Sequence, residues 1–348
     1  MLQGKELILA TKPYAKEIRS KSWMHLWIVL AVVALAQGLV FMAPWLWLRI
    51  AGSLLHSLVL VRLFIIYHDY LHHAILQKSK LANFIMTCTG LYMLTAPSIW
   101  KKSHDFHHKH NSKLISSDIG SYPIAHKEQF LNMPASERRL YLLTRHWLTM
   151  LMGYFTFFLW GITISSYIND PKGHKDSLLA LVLHIALTVG LIVFFGWQTW
   201  LLALAGPFFV TFAIGAYLFY AQHNFPTAEF VINNDKWAYE KAALCSSSYM
   251  KLGPVMQWFT GNIGFHHIHH LNARIPFYRL PEAFKALPEL RQAKATTLWP
   301  KDIVACLRLK VWDEERQRMI GFRELKADIK AAQGVPVPVY ANNKNQNK

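Results

Sequence analysis

Residues 46–73 read LWLRIAGSLLHSLVLVRLFIIYHDYLHH, an apolar run that passes directly into three histidines and an aspartate. The run at 46–67 exceeds the ~20 residues that an α-helix needs to cross the hydrocarbon layer of a bilayer. His68 and His72 stand four positions apart, so a helix continued through them places both imidazoles on one face. The stretch therefore predicts a membrane helix that delivers paired metal-binding side chains to the water boundary.

The preceding run, 23–44 (WMHLWIVLAVVALAQGLVFMAP), is equally long, and Pro44 and Trp45 leave room only for a tight turn. The two runs form a helical hairpin that starts and finishes on one side. Shorter or later apolar runs follow at 81–97, 147–168, 178–196 and 198–221. Lys and Arg concentrate in segment 1–22, between 74 and 146 outside the apolar run, and after 222. By the positive-inside bias, these regions face the cytoplasm. An even number of crossings must then separate them, so 81–97 and 147–168 are expected to lie in or dip into the interface. The expected spans are 23–44, 46–67, 178–196 and 198–221. They make an all-α integral membrane protein with about four transmembrane helices and one or two interfacial or re-entrant ones. In domain terms, 1–22 is a basic cytoplasmic segment, 23–290 the membrane domain, 291–333 cytoplasmic C-terminal helices and 334–348 a disordered tail.

Composition points the same way. Of 348 residues, 53% are hydrophobic and only 16% charged, against roughly 25% charged in soluble chains. The formal charge of +17 is large, but Lys and Arg fall mostly outside the apolar runs and no nucleic-acid module is present. Attraction to anionic lipid headgroups accounts for it better, and nucleic acid is not expected as a partner. Cys88, Cys245 and Cys306 are far apart, odd in number and form no CxxC, so the sequence suggests neither a disulfide framework nor a thiolate metal site. No cleavage pattern follows the first apolar run, so it reads as an uncleaved helix.

Eleven of the 18 histidines fall in three clusters, HDYLHH (68–73), HDFHHKH (104–110) and HHIHH (266–270). His104, His107 and His108 are spaced i, i+3, i+4, and so are His266, His269 and His270. Each cluster can aim two or three imidazoles at one point from a rigid element. A catalytic zinc takes about three protein ligands; eight well-spaced histidines imply two metals. Imidazole suits iron, zinc, copper and nickel alike. A site abutting membrane helices, poor in acids, suits dioxygen chemistry on a hydrocarbon chain, and hence iron. The isolated His25, His56, His126, His146, His174 and His184 read as structural.

The order HxxxHH, HxxHH, HxxHH resembles the three histidine boxes of the membrane fatty acid desaturases and their hydroxylase relatives. The surroundings extend the likeness: IWKKSHDFHHKHN (99–111), GNIGFHHIHHLNARIPFYRLPEA (261–283) and YAQHNFP (220–226). The resemblance implies a mushroom-like fold, with membrane helices as the stem and a cytoplasmic helical cap whose histidine-rich di-metal site holds two irons. Carried over, the metal ligands are His68, His72, His104, His107, His108, His223, His266, His269 and His270, with His73 a further candidate. His223 enters only through the resemblance of its segment. His110 and His267 are extra to the pattern. Asn262, one helical turn before His266, is a candidate for holding a metal-bound water. Asp69 and Asp105 are candidates for orienting imidazoles through the second ring nitrogen, or else solvent-facing acids.

The expected activity is dioxygen-dependent desaturation of a fatty acyl chain by two iron ions cycling between Fe2+ and Fe3+. A membrane lipid or other acyl substrate is implied, on the cytoplasmic face of a bacterial inner membrane rather than the endoplasmic reticulum. No haem-attachment CxxCH and no HPGG-like segment occurs, so a separate ferredoxin or b-type cytochrome must bring electrons. The same scaffold also serves hydroxylases, ketolases and alkane monooxygenases. A zinc membrane hydrolase is a more distant alternative, as is a metal transporter, whose ionisable groups would lie nearer mid-membrane.

Overall fold

The computed structural model describes residues 2–114, 121–232, 235 and 237–334; the tail expected at 334–348 lies, Gly334 apart, outside them. Helix α1 (Arg19–Met42) and helix α2 (Leu46–Leu71) are joined across Pro44, which has no amide to continue a helix. They cross closely. A Cβ added at Gly52 would sit 2.7 Å from the Ala36 carbonyl oxygen, so glycine is required there. Because α2 runs on past the apolar stretch, its last turn carries His68 beyond it.

Helix α3 (Lys80–Tyr92), capped by the Ser79 hydroxyl on the Ala82 amide, has 13 residues. At 1.5 Å per residue it reaches about 20 Å, too short to cross. Helix α4 (Pro97–His110) opens with proline, where no amide is needed. Its first turn is capped in trans: Asp176 accepts the Ser98 amide at 2.9 Å and the Ser98 hydroxyl at 2.5 Å. The apolar run at 147–168 is a broken helix, Trp147–Leu151, Tyr154–Ile164 and Ser165–Asn169, with a π-helical middle. Arg145, just before it, donates to the Tyr220 hydroxyl at 3.2 Å. At its far end, the Thr163 hydroxyl donates to the Leu94 carbonyl at 3.0 Å and Ser166 to Ser177 at 3.1 Å. Both ends are thus tied to the layer that bears the histidines.

Helix α5 (Lys175–Phe195) and helix α6 (Trp197–Ala221) turn back at Gly196. Among the described residues α1, α2, α5 and α6 are the four helices long and apolar enough to cross a membrane. Within its most apolar window α2 is 67% buried and α5 only 17%, so α2 is the central helix and α5 a peripheral one. Val182, Leu183, Val189, Val193 and Phe194 of α5 face outward, a surface that is stable against lipid and not against water. The chain is a predominantly helical membrane protein.

The cap adds strand β1 (Tyr249–Lys251), helix α7 (His266–Leu271), strand β2 (Ala295–Thr297) parallel to β1, and helix α8 (Pro300–Arg308). Strands β3 (Leu309–Asp313) and β4 (Arg318–Gly321) then form an antiparallel hairpin before helix α9 (Phe322–Gly334). The helices expected at 291–333 are therefore interrupted. The hairpin exists because Val311 and Ile320 close a small core with Phe130, Tyr141 and Leu325.

Candidate metal centre

Three helix ends and one turn converge at the base of the cap. The last turn of α2 presents His68, with His72 as its cap residue; α4 presents His104, His107 and His108; α7 presents His266, His269 and His270. His223 follows α6 in a buried turn. The imidazoles sort into two groups. His68, His72, His104, His108 and His269 form one, His107, His223, His266 and His270 the other, and within each group the ligand nitrogens lie within 4.8 Å of one another. The i, i+4 pairs His104–His108 and His266–His270 each stay within a group, while the i+3 residues His107 and His269 cross to the other.

The separations test whether metals fit. His68 Nε2 lies 2.8 Å from His104 Nε2, and His108 Nε2 lies 3.2 Å from His104 Nε2 and 3.0 Å from His269 Nε2. In the other group His223 Nε2 lies 3.0 Å from His107 Nε2 and 2.9 Å from His266 Nε2, which is 3.1 Å from His270 Nε2. One proton per contact cannot satisfy such chains of ring nitrogens. Metal–imidazole bonds of about 2.1 Å at right angles give ligand edges of about 3.0 Å, against about 3.4 Å for a tetrahedron. The observed edges match the right-angled case. His72 Nε2 is buried without a hydrogen-bond partner, and its ring stands 4.6 Å from those of His68 and His108. The residues fit two adjoining cations.

Burial also keeps these imidazoles in the form that can bind a metal. Desolvation holds His72, His104, His107, His108, His266, His269 and His270 well below the usual imidazole range. It lowers His223 to about 4, although a hydrogen bond to the Ser246 carbonyl opposes it. A neutral imidazole is the coordinating species. His223 Nδ1 lies 3.0 Å from the Ser246 carbonyl, which can only accept, so Nδ1 carries the proton and Nε2 is free toward the group. His68 Nδ1 stands likewise 3.2 Å from Asp69 Oδ1.

The other expected site residues divide. Asp69 is buried, and its second oxygen accepts the Phe277 amide at 2.6 Å. Asn262 touches no imidazole among the described contacts; its amide donates to the Phe277 carbonyl at 3.1 Å. The peptide units of Phe277 thus link the first histidine pair to the turn before the third. Asp105 is not brought to a ring: it pairs with Lys101 at 2.8 Å on the half-exposed side of α4. His73 is not brought in either. The chain leaves the helix there with φ +59, and the ring turns outward to Gln77 at 2.7 Å. His110 bonds the Phe106 carbonyl and His267 the Leu290 carbonyl.

One residue escaped notice in the sequence. Arg145 is 0% exposed and has no acid partner among the described residues. Its guanidinium donates to the Pro123 carbonyl at 2.7 Å, the Leu309 carbonyl at 3.3 Å and the Asn224 amide oxygen, so it clamps the turn that bears His223. No local pattern announces it, since its partners come from distant segments.

Two all-imidazole groups that could each hold a metal ion stand beside the apolar stem of a helical membrane protein, an arrangement suited to the class of membrane oxidoreductases. A model for fatty acid desaturases matches residues 44–301, most of the chain and all the clusters, and the chain belongs to that family. Similar proteins include the fatty acid desaturase of Bacillus subtilis, 29% identical over 280 residues, 80% of this chain and 79% of the relative. The sn-1 oleoyl-lipid 12-desaturase of Anabaena variabilis is 24% identical over 287 residues, 78% of this chain and 77% of the relative. The sn-1 acyl-lipid omega-3 desaturase (ferredoxin) of Nostoc sp. is 25% identical over 279 residues, 76% and 69% of the two chains.

Proposed function

We propose that this enzyme inserts a double bond into the acyl chain of a membrane lipid, using two irons, dioxygen and electrons from a ferredoxin-type carrier, at the cytoplasmic face of a bacterial membrane. The sorting of nine imidazoles into two adjoining groups carries this reading. His68, His72, His104, His108 and His269 would hold one iron, and His107, His223, His266 and His270 the other. When bound, the irons supply the oxidising power to break unactivated C–H bonds, which no side chain possesses.

What the chain itself contributes follows from its contacts. Asp69 and the Ser246 carbonyl fix the tautomers of His68 and His223, and burial keeps the remaining rings neutral. Toward the stem the centre is walled by aromatic rings: Trp100 stacks on His104 at 5.4 Å, and Phe219 lies 5.8 Å from His107. That wall excludes water and offers an alkyl chain an apolar surface beside the metals. The balance requires an outside donor. Adjacent methylenes give up two hydrogens, dioxygen takes these with two further electrons and two protons, and two waters form.

The relatives' printed activities on oleoyl- and acyl-lipids, and the ferredoxin in one name, support the substrate and donor classes. The basic segments beside the histidine helices support a cytoplasmic centre. Expression in a host lacking the activity, with fatty acid profiling by mass spectrometry, tests the reading. Loss of two hydrogens from a lipid acyl chain is expected; gain of oxygen would make the enzyme a hydroxylase. One zinc and no iron in the purified protein would overturn it.

A further inference from the structure

Of the nine grouped imidazoles, His72 alone is partly exposed, and the other eight are buried. Above it the cap surface has a solvent-open depression whose lining includes two ligands of the five-imidazole group, His72 and His108. Its rim carries His73, Lys101 and Lys109, and the exposed Arg274 adjoins Ala273 on its wall. Lys101 is neutralised by Asp105 at 2.8 Å. Lys109 and Arg274 form no ion pair among the described residues, so their charge faces outward. A cationic rim above two ligand rings brings an acidic protein surface close to a metal and gives it no enclosed volume to fill.

We propose that this depression is the landing site of an acidic one-electron carrier of the ferredoxin type, and that electrons enter the centre through the five-imidazole group. The inference rests on the di-iron desaturase reading above. Each docking would oxidise the carrier by one electron and deliver that electron to the metal that His72 and His108 would hold; two dockings would supply the two electrons that one double bond requires. The four-imidazole group has no exposed ligand. With four imidazoles against five it would leave more positions for the oxygen chemistry, so that the entry of electrons and the oxidation of substrate would occupy different sides of the centre. Charge complementarity of this kind raises the association rate and is weakened by salt.

The test uses the full iron-loaded chain in lipid nanodiscs and a plant-type [2Fe–2S] ferredoxin as probe. Lys109→Glu and Arg274→Glu, singly and together, are compared with Lys326→Glu on α9, an exposed lysine outside the depression. Two readouts are taken: the ferredoxin dissociation constant against ionic strength, and desaturation driven either by ferredoxin or, in a single turnover, by pre-reduction with dithionite that is removed before dioxygen is admitted. The double variant should weaken ferredoxin binding by about tenfold at low salt, with a shallower salt dependence. It should slow ferredoxin-driven turnover and leave dithionite-driven turnover unchanged. Unaltered binding in the double variant, or equal weakening by Lys326→Glu, would overturn the landing site. A raised KM for acyl lipid with unaltered ferredoxin binding would assign the depression to the substrate headgroup instead. Wild-type protein that desaturates with dithionite and binds no ferredoxin would sink the docking while leaving the desaturase intact. Failure to desaturate with either reductant would sink the desaturase reading itself.

Discussion

Histidines that look alike in sequence separate sharply once their partners are known. His72 and His73 are neighbours, yet one aims a partnerless nitrogen into the five-imidazole group and the other faces Gln77 outside it. His73→Ala should therefore leave bound metal at the wild-type level, whereas His223→Ala should lower it from about two ions per chain to about one. Elemental analysis of the purified proteins decides both. Asp69→Asn should weaken metal retention at the five-imidazole group by about 10–100-fold, read by competition with a chelator, because the orienting carboxylate on His68 is lost. The identical substitution at Asp105 should have a much smaller effect, since that carboxylate pairs with Lys101 and hydrogen-bonds no ring nitrogen among the described residues. The spacing of the boxes was legible because an i, i+4 relation is local. Which of two box aspartates faces inward was not, because it depends on how α2 and α4 are rotated against their neighbours. The same holds for His223, a lone histidine whose meaning came from its resemblance to a family segment and whose place came from the fold.

At the level of elements, the boxes depend on how their helices begin. Gly261 has φ +53, and a Cβ there would meet Ile65 Cγ2 at 2.8 Å. Gly261→Ala should cost about 1–3 kcal/mol and displace the turn into α7. Thermal unfolding in detergent should show the loss, and Ile65→Ala, a costly truncation of a buried side chain on its own, should cost less in the Gly261→Ala chain than in the wild type because the clash is gone. Helix α4 has no side-chain cap of its own and borrows Asp176 from α5. Asp176→Ala should lower stability by about 1 kcal/mol, read as a fall in Tm. Such borrowing leaves no trace in a sequence, because cap and helix are 78 residues apart. The hairpin β3–β4 was hidden for another reason. Its strands span only five and four residues between two helical stretches, too short for alternation to stand out.

For the whole molecule, the four long apolar helices match in number and position the spans read from hydropathy, because length and polarity alone set that signal. The broken helix at 147–169 is the exception, apolar enough to cross yet fastened at both ends to the histidine layer. Single cysteines in a cysteine-free chain check the arrangement. A membrane-impermeant maleimide should label position 196 from outside intact cells, and positions 109 and 170 only after lysis. Labelling of 170 from outside would make the broken helix a true crossing.

Helices α4 and α7 each send side chains to both groups, and this ties the two occupancies together. An ion captured by either group immobilises both helices, so the second ion meets rings already arranged and no longer bears that ordering cost. Loading should be cooperative. At half-stoichiometric metal, native mass spectra should show chains carrying a full pair beside empty ones, with the one-metal form scarce.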